Sequence, residues 1–391
     1  MTQAARRGST RIRNLELVLG EVDRRGPLTR AALAEVTGLT KTTVSTLVAE
    51  LIAAGFVAES GVVRVGERGR PGVAVGVSGD RVAALGIEVN VDYLAVCAVD
   101  LTRTVRLRTR VERDNRDTRP VDVLRDLRAL ALDVVAQADA MGLTVVGAVV
   151  AVPGPVEDGL LYTAPNLGWR EVPVAAALDL PVPVEVDNEA NLAALGELWF
   201  GSGIKDFLYV SGEIGIGAGL VVGGELFRGV HGNAGELGHV VVEPTGPPCR
   251  CGGHGCLEWY AGQDALLRPA TRGIADLVSR LEKGDPRAQE ACSQAGRALG
   301  IALTSAANLL DLDRIVLGGI FVPVFPWLSA AVESTLSARL GHLRRSVPVV
   351  AVSHLDGEAA TLGAAGQVLQ QVIADPGRFA GQVVTSCRAR G

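Results

Sequence analysis

The stretch His239–Glu258 reads HVVVEPTGPPCRCGGHGCLE, and it holds three of the six cysteines of the chain within eight positions. The four side chains of interest in this stretch are His239, Cys249, Cys251 and Cys256. Three thiolates and one imidazole form a ligand set that is typical of a closed, tetrahedral structural zinc site. The glycines between the cysteines let the loop curl so that the sulfurs converge on one ion. We therefore predict that these four residues bind Zn²⁺, with His254 as a competing fourth ligand.

The overall composition describes a large globular chain of 391 residues, 48% hydrophobic and only 4% aromatic. This length suits two or three domains with a core of Val, Ala and Leu. The apolar runs are short and interrupted, so we expect no membrane span, no signal peptide and a cytoplasmic protein with reduced thiols. The alternatives for the clustered cysteines are a disulfide or unrelated buried thiols, which the close spacing and the reducing compartment disfavour.

The charge of the chain is unevenly distributed. Residues 1–79 hold 11 Lys and Arg against 7 Asp and Glu, a net charge of +4, whereas the whole chain has a net charge of −5. The remaining residues therefore carry a net charge of −9. A small basic unit attached to a larger acidic one indicates that any nucleic-acid contact belongs to the N-terminal part.

The basic N-terminal part has the pattern of a helix-turn-helix. Apolar residues at helical spacing predict a first helix over residues 11–25. Thr29 and Thr40 are expected to cap two further helices, since a threonine hydroxyl accepts a hydrogen bond from the first turn of a helix. A turn at Gly38 separates these two helices, and the second ends at Ala54. Helix, short glycine turn and helix together are typical of DNA-binding units.

Two strands, Val62–Val65 and Val73–Val77, are predicted after the helices, and the basic loop 66–72 between them suits a wing. A wing arginine can enter a narrow minor groove, where the potential is most negative. The residues predicted to contact DNA are Lys41, Thr42, Ser45 and Thr46 near the start of the third helix, and Arg68 and Arg70 in the loop. The alternative is a three-helix module that binds protein, with a solvated loop.

The rest of the chain repeats one pattern twice after a short linker near Asp80. The first copy has strands Val82–Val89, Leu94–Val99, Thr104–Val111, Val145–Val152 and Val182–Val186, with helices Leu124–Ala138 and Glu189–Phe200. The second copy has strands Phe207–Ser211, Ala218–Val222, Glu225–Phe227 and Arg314–Leu317, with helices Ala288–Leu310 and Glu358–Ile373. Such duplication predicts a two-lobed α/β fold of the actin-like, ribonuclease-H-like type. We predict a winged helix-turn-helix domain over 1–79 and a second domain over 80–391. The tail after Asp375 is expected only to be a surface or packing segment.

Several motifs resemble the ROK family (repressors, open reading frames, sugar kinases). Gly238-His239 followed by CxCGxxGCxE at 249–258 resembles the family's zinc signature, and Gly69-Arg70-Pro71 resembles the wing of its repressors. The resemblance implies a sugar-kinase-like core with a sugar cleft between two lobes. It also implies that the residues contacting the sugar are Asn166, Asn188, Glu189, Glu236, His239 and Glu258. Asn188 could instead cap the helix that follows it, and Asn191 suits a sugar contact and a structural role equally well.

Departures from the family's kinases predict that the chain is not an enzyme. The first phosphate turn, AspxGlyGlyThr in kinases, reads Glu88-Val89-Asn90-Val91-Asp92, and the second, GlyThrGly, reads Glu213-Ile214-Gly215. Both changes place carboxylates where backbone amides would approach phosphate. Glu189, one methylene longer than aspartate, stands at the position of the catalytic Asp, and a small misplacement of a base is costly.

We therefore expect a DNA-binding transcriptional regulator, a sugar-responsive repressor with a catalytically inactive kinase-like domain. Its expected partners are operator DNA, a sugar or sugar phosphate, and a second copy of itself, because paired half-sites are the usual way in which helix-turn-helix proteins gain specificity. One alternative is an active ATP-dependent sugar kinase. The other is a regulator that responds to a protein partner rather than to a sugar.

Overall fold

The computed structural model of the chain describes residues 3–63, 72–268, 272–355 and 357–390. Its N-terminal unit consists of α1 (Gln3–Arg25), β1 (Leu28–Thr29), α2 (Arg30–Thr37), α3 (Lys41–Ala53), β2 (Val57–Val63) and β3 (Gly72–Val77). The three strands form one antiparallel sheet in the order β1-β3-β2. This arrangement confirms the predicted winged helix-turn-helix.

The two predicted caps begin α2 and α3. The Thr29 hydroxyl accepts a hydrogen bond from the Ala32 amide at 3.2 Å, and the Thr40 hydroxyl accepts one from the Thr43 amide at 3.2 Å. Gly38 ends α2 with φ 70°, a left-handed conformation that glycine adopts without strain. The short turn between the helices is therefore specified by local sequence.

The boundaries of this unit differ from prediction at two places. The helix α1 begins at Gln3, whereas the prediction began it at residue 11. The first turns were not predicted because they are polar and carry no apolar periodicity. The strand β2 begins at Val57, earlier than the predicted strand at Val62, and it pairs with β3 as far as Val63. Most of the predicted wing loop, including Arg68 and Arg70, lies outside the described residues.

The first lobe contains β4 (Val82–Val89), β5 (Tyr93–Asp100), β6 (Val105–Glu112), α4 (Pro120–Ala140), β7 (Thr144–Val152), β8 (Val156–Glu157), β9 (Leu160–Ala164), β10 (Trp169–Val172), α5 (Val174–Leu178) and β11 (Val184–Asn188). Its main sheet has the order β11-β7-β4-β5-β6. The strands β4 and β7 are buried along their whole length, as expected for central strands that are covered on both faces. A small sheet, β10-β9-β8, lies beside it.

The second lobe follows α6 (Glu189–Phe200). It contains β12 (Phe207–Gly212), β13 (Ile216–Val222), β14 (Glu225–Phe227), α7 (Leu257–Ala261), α8 (Gln263–Leu266), α9 (Ile274–Glu282), α10 (Pro286–Leu310), β15 (Arg314–Gly319), α11 (Phe321–Leu340), β16 (Val349–Val352), α12 (Ala359–Ala374) and α13 (Pro376–Arg390). The sheet order β14-β13-β12-β15-β16 repeats that of the first lobe, with three antiparallel strands and then two parallel ones. The predicted duplicated, actin-like fold is thereby confirmed. Among the described residues, no helix combines the length and the apolar character needed to cross a membrane.

The helices α6 and α12 cross at the centre of the molecule in very close contact. A Cβ atom added at Gly196 would lie 2.1 Å from the Ala359 carbonyl oxygen, and one added at Gly363 would lie 1.8 Å from the Leu192 carbonyl oxygen. Only glycine allows two helix backbones to approach so closely. Buried side chains of both helices belong to the same core as the inner faces of the two sheets.

The same core extends into the N-terminal unit. Buried Leu15 and Val18 of α1 form one hydrophobic cluster with residues of α12 and with Phe379 and Val383 of α13. The tail after Asp375 is thus a packed helix. Its sequence contains many polar and Arg residues, and it did not reveal that Phe379 and Val383 anchor the helix in the core. An ion pair with two hydrogen bonds, from Arg103 to Asp23 at 2.8 and 2.9 Å, adds a polar link between α1 and the first lobe.

We expect Gly196→Ala to lower the free energy of unfolding by at least 1–3 kcal/mol, the typical cost of adding a methyl group to a packed core. Gly20→Ala in α1 is the matched control, because a Cβ atom there meets nothing within 4 Å. This control should leave stability unchanged or raise it by up to ~1 kcal/mol, since alanine favours helix. The measurement is urea unfolding of both variants followed by circular dichroism. Equal stability of the two variants would contradict the close crossing.

Candidate sugar and metal site

A cavity of about 540 Å³ lies between the two lobes. All six residues predicted to contact a sugar line it, namely Asn166, Asn188, Glu189, Glu236, His239 and Glu258. The first three come from segments before β12, and the others follow β14. Amide and carboxylate groups are suited to sugar hydroxyls, because together they donate and accept hydrogen bonds. The structure therefore brings together every predicted sugar residue around a space large enough for a small ligand.

Asn188 is mainly engaged in holding the start of α6. Its side-chain Oδ1 atom accepts hydrogen bonds from the backbone amides of Ala190 at 2.9 Å and Asn191 at 3.3 Å. Its side-chain NH₂ group donates to the Gly154 carbonyl at 3.1 Å. The capping role that the sequence left open is thus present, and one amide hydrogen remains for a ligand. The Asn191 side chain is buried and donates to Asp187 at 3.5 Å, and Asn191 also lines the cavity, so the structure agrees with both of the roles predicted for it.

Asn166 lies in the turn between β9 and β10 and reaches across the cleft. Its side-chain oxygen accepts a hydrogen bond of 2.7 Å from the guanidinium of Arg250, which belongs to the cysteine-rich loop of the other lobe. The amide nitrogen of Asn166 and the second lone pair of its side-chain oxygen remain to bind a ligand. This hydrogen bond links the two lobes at the edge of the cavity.

Glu258 is fixed by the backbone of the opposite wall. Its carboxylate accepts a hydrogen bond from the Ile216 amide at 3.1 Å. A Cβ atom at Gly215 would lie 2.2 Å from the same carboxylate, so glycine at this position makes the approach possible. Glu236 and His239 lie beside it on a short 3₁₀ turn, with 3.9 Å between the Glu236 carboxylate and the His239 Nε2 atom.

The four predicted zinc ligands form one cluster. One ligand atom from each of His239, Cys249, Cys251 and Cys256 lies within 4.8 Å of all the others. The Cys251 and Cys256 sulfurs are 3.6 Å apart, and the Cys249 sulfur is 3.8 Å from the His239 Nδ1 atom. Zn–S bonds of ~2.3 Å in a tetrahedron place sulfurs about 3.8 Å apart, so the spacing fits Zn²⁺. His254, the competing candidate, does not belong to the cluster formed by the described residues.

The loop that carries these ligands is held by its own backbone. The Cys249 amide donates to the Gly253 carbonyl at 2.8 Å, and the Gly252 amide donates to the Cys249 carbonyl at 3.0 Å. Gly255 has φ 64°, and a Cβ atom there would lie 1.7 Å from the Glu243 carbonyl oxygen. His239 and Cys251 also line the cavity. A metal at this cluster would therefore fix one wall of the cavity.

The inner end of the site is strongly acidic. Burial raises the pKa of Glu88, and burial together with the charges of Glu213 and Glu88 raises the pKa of Glu189 well above its usual range. Burial and the neighbouring Glu88 raise the pKa of Glu213 to about 8. Tyr93 donates a 2.6 Å hydrogen bond to Glu88, and Asn90 donates one of 3.4 Å to Glu213. Glu88 lies near the end of β4 and Glu213 lies in the turn between β12 and β13, so the two motifs that depart from the kinase pattern meet at this end of the site.

The predicted recognition helix has two distinct faces. Lys41, Thr42, Ser45 and Thr46 are exposed on the first two turns of α3, whereas Val44, Leu47 and Val48 on its other face are buried. The four predicted DNA-contact residues of this helix are therefore available on one surface. The two predicted contacts in the wing, Arg68 and Arg70, lie outside the described residues.

Sequence reasoning missed two arginines that line the cavity, Arg170 on β10 and Arg250. Arg250 could have been found, because it lies between two predicted zinc ligands and must stay near the site. Arg170 carried no such signal, since β10 reaches the cavity only through the fold of the small sheet.

Comparison with known proteins agrees with this architecture. A model of the ROK family matches residues 84–371, and a model of the MarR family matches residues 17–65. The xylose repressor of Bacillus subtilis (strain 168) is 32% identical over 338 residues, which cover 84% of this chain and 87% of that protein.

Two solved structures give the same assignment. A ROK family transcriptional regulator, a homolog of the E. coli MLC protein, has a TM-score of 0.76 at 26% identity, covering 96% of this chain and 99% of its own. A ROK family glucokinase from Streptomyces griseus in complex with glucose and AMPPNP has a TM-score of 0.63 at 27% identity, covering 73% of this chain and 98% of its own. The family match extends over well over half of the chain, which therefore belongs to the ROK family and resembles that family's transcriptional regulators along almost its whole length.

Proposed function

We propose that this protein is a cytoplasmic, sugar-responsive transcriptional repressor that binds operator DNA as a homodimer. In this proposal residues 1–79 form the DNA-binding domain and residues 80–391 form the effector-binding domain. The observation that supports it best is a continuous path between the two. The helix α6 begins at the cavity with Asn188 and Glu189, it crosses α12 in direct backbone contact, and α12 packs against α1.

The proposed DNA contacts are Lys41, Thr42, Ser45 and Thr46 from α3, with Arg68 and Arg70 from the wing. An exposed helix face with one lysine and three hydroxyl side chains can enter a major groove and contact base edges. The xylose repressor that is similar to the chain is a repressor by name, which supports the same role here. A dimer would present two such helices to paired half-sites.

The proposed effector is a small sugar or sugar phosphate bound by Asn166, Asn188, Glu189, Glu236, His239 and Glu258. These residues come from both sides of the cleft, so a ligand that touches both sides favours a closed arrangement of the lobes. Closure would be carried by α6 and α12 to α1, and it would change the spacing of the two recognition helices in a dimer. A sugar then shifts the population by its difference in affinity for the two arrangements.

We also propose that the core is not a kinase. Asn90 and Val91 stand where the kinase motif has its two glycines, so side chains occupy the space through which backbone amides would approach phosphate. The carboxyl group of Glu213 lies in the second turn, where Asn90 donates a hydrogen bond of 3.4 Å to it. Glu189 is the residue that would have to act as the base. Its Oε2 atom is buried and has no hydrogen-bond partner among the described residues. Burial and the charges of Glu213 and Glu88 raise the pKa of this carboxyl group, which disfavours the charged form that a base needs.

The proposed zinc site uses His239, Cys249, Cys251 and Cys256, whose donor set and spacing fit a structural Zn²⁺ ion. The ion would have a structural role and would hold the turn that carries His239 against the loop that carries the three cysteines. His239 would keep its ring fixed beside Glu236, with its second nitrogen facing the cavity side of the turn. The metal would in this way orient the sugar-binding wall without taking part in a reaction.

The proposed function predicts reciprocal coupling between sugar and DNA. The probe is a duplex that the full-length protein selects from random DNA. The sugars are xylose, glucose and N-acetylglucosamine, together with xylose 5-phosphate, glucose 6-phosphate and N-acetylglucosamine 6-phosphate. One of them should change the affinity for the duplex by ~5–150-fold, and the duplex should change the affinity for that sugar by the same factor. Calorimetric titrations with and without the duplex measure both effects.

Two variants serve as controls for this experiment. Glu258→Ala should abolish sugar binding and keep DNA binding, whereas Glu225→Ala, an exposed carboxylate outside the cavity, should change neither. A sugar that binds with equal affinity in the presence and absence of DNA excludes a sugar-gated repressor. Failure of every sugar to bind would favour the regulator that responds to a protein partner.

Purified protein should contain about one zinc ion per chain by elemental analysis. Cys251→Ser should lose the ion and unfold at a lower temperature, because part of the metal-binding free energy stabilises the fold. His254→Ala should keep both the ion and the stability, since this histidine lies outside the cluster. A metal-free wild-type protein of full stability, or loss of zinc in the His254 variant, would contradict the assigned ligands.

No sugar of the same panel should be phosphorylated from ATP at a rate near the ~10 s⁻¹ of a typical enzyme. Glu189→Asp, which restores the aspartate of the kinases, should not create activity, because both phosphate turns still depart from the kinase motifs, with Asn90 and Val91 in place of two glycines and Glu213 in the second turn. The measurement is a coupled assay for ADP. Turnover by the wild type that disappears in Glu189→Gln would show an active kinase and overturn this part of the proposal.

A further inference from the structure

A second cavity of about 270 Å³ adjoins the first one on the side of the cysteine-rich loop. Four residues line both cavities, Asn166, Ile214, Arg250 and Glu258. We call this second space the outer cavity. The two spaces therefore meet at the hydrogen bond between Arg250 and Asn166 and at the carboxylate of Glu258. A ligand that fills the inner cavity and continues past this boundary enters the outer one.

The outer cavity combines a flat aromatic ring with charged groups. The further residues that line it include Trp259, Asp264 and Arg268. The Trp259 side chain is 39% exposed although it belongs to α7, the helix that carries Glu258. A sugar ring has an apolar C–H face and polar edges. An exposed indole can cover the face while guanidinium and carboxylate groups bind the hydroxyls.

The indole of Trp259 is already held in place. The Arg268 guanidinium lies 4.7 Å from the ring centroid, and it donates a hydrogen bond to the Trp259 backbone carbonyl at 3.4 Å. A ring that is fixed before a ligand arrives loses little conformational entropy on binding.

Arg250 supplies the polar contact at the boundary between the cavities. Among the described residues it forms no ion pair, and its hydrogen bond to Asn166 uses only one of its five N–H groups. The other N–H groups can donate to a ligand that spans both cavities. The two carboxylates of Glu258 and Asp264 and the two guanidinium groups of Arg250 and Arg268 line the same outer space, so its formal charges balance and it suits a neutral ligand.

We propose that the outer cavity is a second sugar subsite, so that the effector is a disaccharide or longer oligosaccharide whose second ring packs on Trp259. This inference rests on the proposed function and specifies its ligand. The first ring would occupy the inner cavity among Asn166, His239 and Glu258. The glycosidic bond would pass Arg250, and no covalent step is involved.

The test is calorimetric titration of the full-length protein with matched sugars, xylose against xylobiose and glucose against cellobiose and maltose. One disaccharide should bind about tenfold or more tightly than its monosaccharide, the gain expected from covering one face of an indole. Trp259→Ala should remove this gain and leave the monosaccharide affinity unchanged. Trp259→Phe should keep part of it, because a flat ring remains.

Phe227→Ala is the matched control, since Phe227 is also an exposed aromatic residue but lines neither cavity. It should change no affinity. The inference is wrong if every monosaccharide, or its phosphate, binds at least as tightly as the disaccharides, and also if Trp259→Ala weakens both members of a pair equally. In those cases the proposed function stands. If none of the sugars binds, the proposed function and the subsite fail together.

Discussion

The crossing of α6 and α12 is the constraint on which the rest of the structure depends. Gly196 and Gly363 let the two backbones touch, and no other residue type fits there. Since the sheets of both lobes and α1 pack around this pair, its position fixes the cleft and the N-terminal unit relative to each other. A close-packed contact has few alternative arrangements, so a change at one end of α6 is transmitted and not absorbed.

The cleft divides into two chemically different regions. Most of the cavity wall consists of partly exposed amides, carboxylates and arginines that suit neutral hydroxyl groups. The inner end holds Glu88, which is buried, and Glu189 and Glu213, which are half-buried. A carboxyl group buried without a cation is costly in its charged form, and its raised pKa expresses that cost.

Local signals explain most of what the sequence could predict. The caps at Thr29 and Thr40, the strands with period-two or fully apolar patterns, and the Cys and His spacing each depend on neighbouring residues, so they are visible in one sequence. Arg170, the α13 helix and the burial of Glu213 depend on segments far apart in the chain. The tertiary fold decides which residues surround them, and no periodicity in the sequence indicates those contacts. The residues predicted to contact a sugar could be named only through their resemblance to family motifs, since isolated asparagines carry no pattern of their own.

The shared core of α1 and α13 has a consequence for synthesis. Leu15 emerges from the ribosome about 360 residues before Phe379, its partner in the hydrophobic cluster. At ~5–20 residues per second, roughly 20–70 s pass before that partner exists. During this interval the apolar side of α1 lacks its native cover from α12 and α13, and transiently exposed apolar surface of this kind favours aggregation of the unfinished chain.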